Sequence, residues 1–150
     1  MFAIIPHGWF LHAGSTRLYR TAAQTTLAKQ FLPRIAQEEK PQVIILSAPE
    51  PEAIALARDV AMLGGYDVQI NDCLSDAHRS PSPNEIIAHL CASDHPFILV
   101  THRPRLKAIV RAVNIAVGTK IKITGRRPLF WNQAMIVDPG KKSIEVVSIK

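Results

Sequence analysis

Four short apolar runs separated by helix-sized segments constrain this chain more than any other feature. They are Phe2–Ile5, Val43–Leu46, Tyr66–Ile70 and Phe97–Val100. The first, second and fourth contain no polar residue, so each reads as a strand covered on both faces. The third alternates apolar and polar residues, as a half-covered strand does. The blocks between them carry a helical period. Ala23, Leu27, Phe31 and Ile35 recur every four residues, which predicts a helix from Thr21 to about Glu39. Pro33 is placed to kink or divide it.

After Pro49, the residues Ala53, Leu56, Ala57, Val60 and Leu63 mark a second helix, closed by Gly64 and Gly65. Ser82 is placed to cap a third helix started by Pro83, with Glu85 at its third position and an end near Ala92. The stretch from Asn71 to Ser82 before it reads as a loop, rich in Asp, Ser and Pro. A fourth helix is predicted from Pro104 to about Val117, and a short strand from Ile121 to Ile123. Trp131–Val137, a turn over Asp138–Lys141 and Ser143–Ile149 predict a C-terminal hairpin.

Buried strands alternating with helices call for parallel βαβ units. The predicted fold class is therefore α/β: a three-layer α/β/α sandwich with a mainly parallel central sheet and a C-terminal antiparallel hairpin. The 150 residues suit a single domain spanning 1–150. A hydrophobic fraction of 47% with 20% charged residues excludes a mainly disordered chain. In sheets of this kind ligands bind beyond the carboxyl ends of the strands. Residues directly after the first, second and fourth strands are thus expected to converge.

Charge and cysteine content narrow the function classes. A net charge of +6 suits an anionic partner: phosphate, a phosphorylated substrate or nucleic acid. The basic residues are dispersed, and the denser patches, Arg103–Lys107 and Lys120–Arg127, are not interleaved with aromatics, so nucleic acid ranks last. Cys73 and Cys91 are too few for a disulfide scaffold and are expected as free thiols, one in a loop and one buried on a helix. No apolar run approaches the ~18 residues of a membrane span. Phe2–Ile5 is too short for a signal-peptide core and has no basic segment before it, so a cytoplasmic protein is expected. No Gly-rich nucleotide loop, no Cys-x-x-Cys pair and no metal-type ligand spacing occurs, so neither cofactor nor metal is expected.

The strand ends carry the chemistry. Pro6-His7-Gly8 follows the first strand, Ser47-Ala48-Pro49-Glu50-Pro51-Glu52 the second, and Thr101-His102-Arg103-Pro104 the fourth. With these residues in this order, the chain resembles the histidine phosphatase, or phosphoglycerate mutase-like, superfamily. It is most similar to the small branch of bacterial phosphohistidine phosphatases. The pattern there is a strand with Arg-His-Gly, a strand with Ser-x-Pro-x-x-Arg-Ala opening a helix, and a strand with Ser-His or Thr-His.

The resemblance implies a phosphoryl relay. His7 matches the histidine that attacks phosphorus, Gly8 the small residue that lets backbone approach the phosphate, and His102 the second histidine. Asp76, with Asp72 nearby, lies in the loop where a carboxylate proton donor is expected. Pro6 and Glu52 stand where the pattern has its two phosphate-holding arginines. Arg17, Arg20 and Arg103 are the cations available to replace them. The resulting expectation is a degenerate phosphatase-fold protein, binding a phosphorylated small molecule, another anionic ligand or a phosphoprotein, with weak or no turnover. The alternative is an active phosphohistidine or phosphomonoester phosphatase with relocated arginines.

Trp9, Phe10 and His12 either pack a loop or line a pocket mouth, and Phe130 and Trp131 read as core. His78 and Arg79 fall in a solvated loop, His89 on a helix and His95 at the start of a strand.

Overall fold

The computed structural model describes residues 1–7, 17–35, 42–75, 81–93, 95–102, 105–121 and 133–148, with backbone alone at 7 and 17–21. The chain runs β1 (Phe2–His7), α1 (Arg17–Ile35), β2 (Ile44–Ser47), α2 (Pro51–Ala61), β3 (Asp67–Ile70), a 3-10 turn (Asp72–Leu74), α3 (Asn84–Ala92), β4 (Phe97–His102), α4 (Leu106–Val117), β5 (Gln133–Asp138) and β6 (Ser143–Ser148). The six strands form one sheet in the order β3-β2-β4-β1-β5-β6. β1, β2, β3 and β4 are mutually parallel where they pair, while β5 runs antiparallel to β1 and β6 antiparallel to β5. The three-layer sandwich with a C-terminal hairpin is therefore present as the sequence predicts.

Strand order fixes the layers. The crossovers from β1 to β2 and from β2 to β3 run toward one edge, and the β3 to β4 crossover runs back. Right-handed connections then put α1 and α2 on one face and α3 on the other. The packing agrees: α1 contacts α2, and α3 contacts α4. The central strands β1 and β4 are buried on both sides, with Phe2 to Pro6 and Phe97 to Thr101 all buried. That is why their sequences lack alternation. β3 and β6 lie at the edges and are mostly exposed.

The helices follow their apolar stripes. In α1 the buried positions are Gln24, Leu27, Ala28, Phe31, Leu32 and Ile35. Pro33 sits inside α1 on its exposed side. It does not divide the helix, which runs on to Ile35 and ends two residues after it. α2 begins at Pro51 and ends in a turn with Gly65 at φ 66°. α3 starts one residue later than the sequence predicts: Pro83 is the cap, and the Ser82 hydroxyl accepts from the Asn84 amide at 3.3 Å. α4 closes on Gly118 in the left-handed conformation, φ 82°.

Two predictions are corrected. Ile121 is not in a strand. Its N–H donates to the Asn114 side-chain oxygen and its carbonyl accepts from the Asn114 amide, so α4's own capping occupies it. Residues 122 and 123 lie outside the described residues. The Asn71–Ser82 stretch is not wholly loop, since Asn71 accepts from the Cys73 amide at 2.9 Å and starts the 3-10 turn. At the far edge, Arg34 of α1 pairs with Glu145 of β6 and holds that carboxyl below the usual carboxylate range.

Candidate functional site

The parallel register brings the two histidine positions together. β1 and β4 pair from Phe2↔Phe97 through Pro6↔Thr101 to His7↔His102. Neighbouring strands lie about 4.8 Å apart. Positions 7 and 102 are thus adjacent at the carboxyl end of the sheet. β2 completes the rim on the other side of β4. Ser47 is level with Val100, and the Ala48 amide donates to the Val100 carbonyl at 2.9 Å. The carboxyl ends of the first, second and fourth strands therefore converge.

Side chains from several elements fasten this rim. Thr101 is fully buried, and its hydroxyl donates to the Leu74 carbonyl at 2.9 Å. The Asn71 amide donates to the Ser47 carbonyl at 2.8 Å. Both contacts draw the 3-10 turn against the ends of β2 and β4. The Ser75 hydroxyl then donates to Glu50 Oε1 at 2.7 Å. Arg105, just before α4, donates through Nε to the Cys73 carbonyl at 3.1 Å and through Nη2 to the Pro81 carbonyl. On the opposite face, the buried Gln24 of α1 donates its side-chain amide to the Pro6 carbonyl. His102 is half-buried, with Nδ1 shielded from solvent.

The positions that resemble arginine sites carry no cation. Pro6 is buried within β1 and offers neither a charged side chain nor an N–H. Glu52 lies exposed in the first turn of α2. Arg17 and Arg20 occupy the start of α1. The level of α1 is set by Gln24 beside Pro6, and α1 returns antiparallel to β1. Positions 17 and 20 therefore extend past the rim at about 1.5 Å per residue.

Gly8, Asp76 and Arg103 lie outside the described residues, as do Trp9, Phe10, His12, His78, Arg79, Phe130 and Trp131. Asp72 is exposed in the 3-10 turn. His89 is exposed on α3, and the exposed His95 packs edge-on against Phe97 with ring centroids 6.2 Å apart.

Both cysteines are free and half-buried, so Cys91 is less enclosed than the sequence predicts. Burial pushes the Cys73 thiol up, and the nearby Arg105 guanidinium only partly offsets this. Burial likewise raises Cys91. Among the described residues, no group of three or more His, Cys, Asp or Glu side chains is placed to hold a metal ion. None of the described helices is long and apolar enough to cross a membrane.

Sequence reasoning assigned no role to Glu50, Ser75, Arg105 or Gln24. A signal existed for Gln24, a polar residue on the apolar stripe of α1. The others meet only through tertiary register, across as many as 32 residues of sequence.

No protein-family model and no curated protein sequence matches the chain. Solved structures do. The protein histidine phosphatase SixA complexed with tungstate superposes with a TM-score of 0.60 at 12% identity, covering 97% of this chain and 93% of that one. A phosphoglycerate mutase from Plasmodium falciparum gives 0.55 at 14% identity, with 98% and 87% covered. The mycobacterial glucosyl-3-phosphoglycerate phosphatase in complex with VO3 gives 0.53 at 14% identity, with 98% and 96% covered. The chain thus has the phosphoglycerate mutase-like fold that histidine phosphatases adopt, over nearly its whole length.

Proposed function

We propose that the chain binds the phosphoryl group of a phosphorylated small molecule or phosphoprotein at the carboxyl rim of β1 and β4, with weak or no turnover. The observation that carries this reading is the register pair His7↔His102, set in a rim whose arginine-like positions hold Pro6 and Glu52. Two adjacent histidines supply donors and a nucleophile for a phosphoryl group. Two fold neighbours are complexed with tungstate and VO3, which are oxyanions, and this supports an oxyanion as the kind of ligand bound here. The absent arginines argue against fast chemistry. Removing one oxyanion donor typically costs about 10²–10³ in rate, because phosphoryl transfer depends on stabilising the equatorial oxygens.

The site residues of this proposal are His7 as the group facing phosphorus, His102 as its partner, and Gly8 as the close backbone approach. Arg17, Arg20 and Arg103 would supply positive charge, and Asp76 would be the carboxylate if any turnover survives. The test is phosphate release from an aryl phosphate and a phosphohistidine peptide, with His7→Ala measured alongside. Release at the level of the mutant on both substrates is expected. Release that depends on His7 would instead identify an active phosphatase with arginines supplied from the start of α1 or from position 103.

A further inference from the structure

Glu50 occupies the cap position of α2, where an acidic side chain ordinarily turns back to the helix amides. Its backbone has the extended conformation usual at that position, φ −63° and ψ 138°, but its side chain makes no capping bond. The carboxylate is instead held away from the helix by the Ser75 hydroxyl on Oε1. Oε2 is shielded from solvent and has no hydrogen-bond partner among the described residues. A buried carboxylate oxygen without a donor is costly, so a ligand that supplies one is favoured there.

The location is the rim already described. The Ala48 amide bonds the Val100 carbonyl, and Glu50 and His102 each lie two residues beyond that bond. Ser75 is itself buried and follows Leu74, whose carbonyl takes the hydroxyl of Thr101, the residue before His102. Ser75 thus ties Glu50 to the turn that Thr101 holds against β4.

We propose that Glu50 makes this site selective for a phosphate group that still carries a proton, and against an oxyanion that carries none, such as sulfate. This rests on the phosphoryl-binding reading above. Near neutral pH a phosphate or phosphomonoester retains a P–OH for part of its population, since its second ionisation falls near 6 to 7. That hydroxyl can donate to Oε2. Sulfate has no such hydrogen, so it would meet the carboxylate as one anion meets another.

The experiment is calorimetric titration of the full chain with inorganic phosphate and with sodium sulfate, for the wild type, Glu50→Gln and Ser75→Ala. Wild type is expected to bind phosphate at least about tenfold more tightly than sulfate. Gln keeps the acceptor for Ser75 but presents an N–H in the carboxylate's place, so Glu50→Gln should bring the two anions to within about threefold. Ser75→Ala, which frees the carboxylate to turn away, should narrow the gap in the same direction. It carries the test if Glu50→Gln does not fold. Phosphate binding with no preference over sulfate, or a preference that both variants retain, would overturn the role of Glu50 while leaving the phosphoryl site in place. Binding of neither anion by the wild type would overturn the phosphoryl-binding reading and this inference together.

Discussion

Proline at position 6 changes the end of β1 in two ways. Its ring carries no cation, and its nitrogen carries no hydrogen to offer an anion. The pairing of β1 with β5 reaches only to Ile4, and the Pro6 carbonyl accepts from the buried Gln24 side-chain amide. Position 52 moves the charge further in the same direction, from a cation in the related pattern to a carboxylate. The two cysteines probe the same chemistry by contrast. Burial raises both thiols; at Cys73 the Asp72 and Glu85 carboxylates reinforce it against Arg105. Both therefore stay protonated at neutral pH, and the thiolate is the reactive form. Iodoacetamide should alkylate the folded chain several-fold more slowly at pH 7.5 than it alkylates an unstructured cysteine peptide. The rate should climb only at pH values above those of the peptide. Equal rates for chain and peptide would contradict the burial described for these thiols.

Among the elements, β4 organises the site because it lies between β2 and β1 and touches the 3-10 turn. Thr101 is where these meet. Thr101→Val preserves the shape but leaves the Leu74 carbonyl without its donor inside the protein. The expected cost is about 1–3 kcal/mol of stability, read as a lower urea midpoint at unchanged m-value. An unchanged midpoint would mean that the hydroxyl does not hold the turn. β1, β2 and β4 were legible in the sequence because strands covered on both faces have no alternation to mislead. β5 and β6 were legible because Asp138, Pro139 and Gly140 announce the turn between them. The Ile121 strand was misread because apolar alternation cannot reveal that Asn114, seven residues earlier, takes both of its backbone groups. The convergence of the histidines was legible as well, since parallel strands place equivalent ends side by side. The Glu50–Ser75 and Arg105–Cys73 contacts were not, because nothing local in either segment encodes a partner 25 or 32 residues away.

At the scale of the whole molecule, a net charge of +6 surrounds a rim whose own fixed charges include Glu50 and Glu52. On the proposed function, that field would draw anions toward the rim, which would then select among them. The fold sets two histidine positions side by side at the carboxyl end of the sheet, and the two positions that match the related pattern's arginines hold Pro6 and Glu52. The central claim is that a phosphoryl group sits at this rim. The most direct measurement is an amide NMR titration of isotopically labelled protein with inorganic phosphate. The account expects saturable shifts concentrated at His7, Ala48, Glu50 and His102, with Val43 and Phe97 at the opposite end of the same strands unmoved. Shifts confined to that opposite end, or no saturable shift at all, would contradict it.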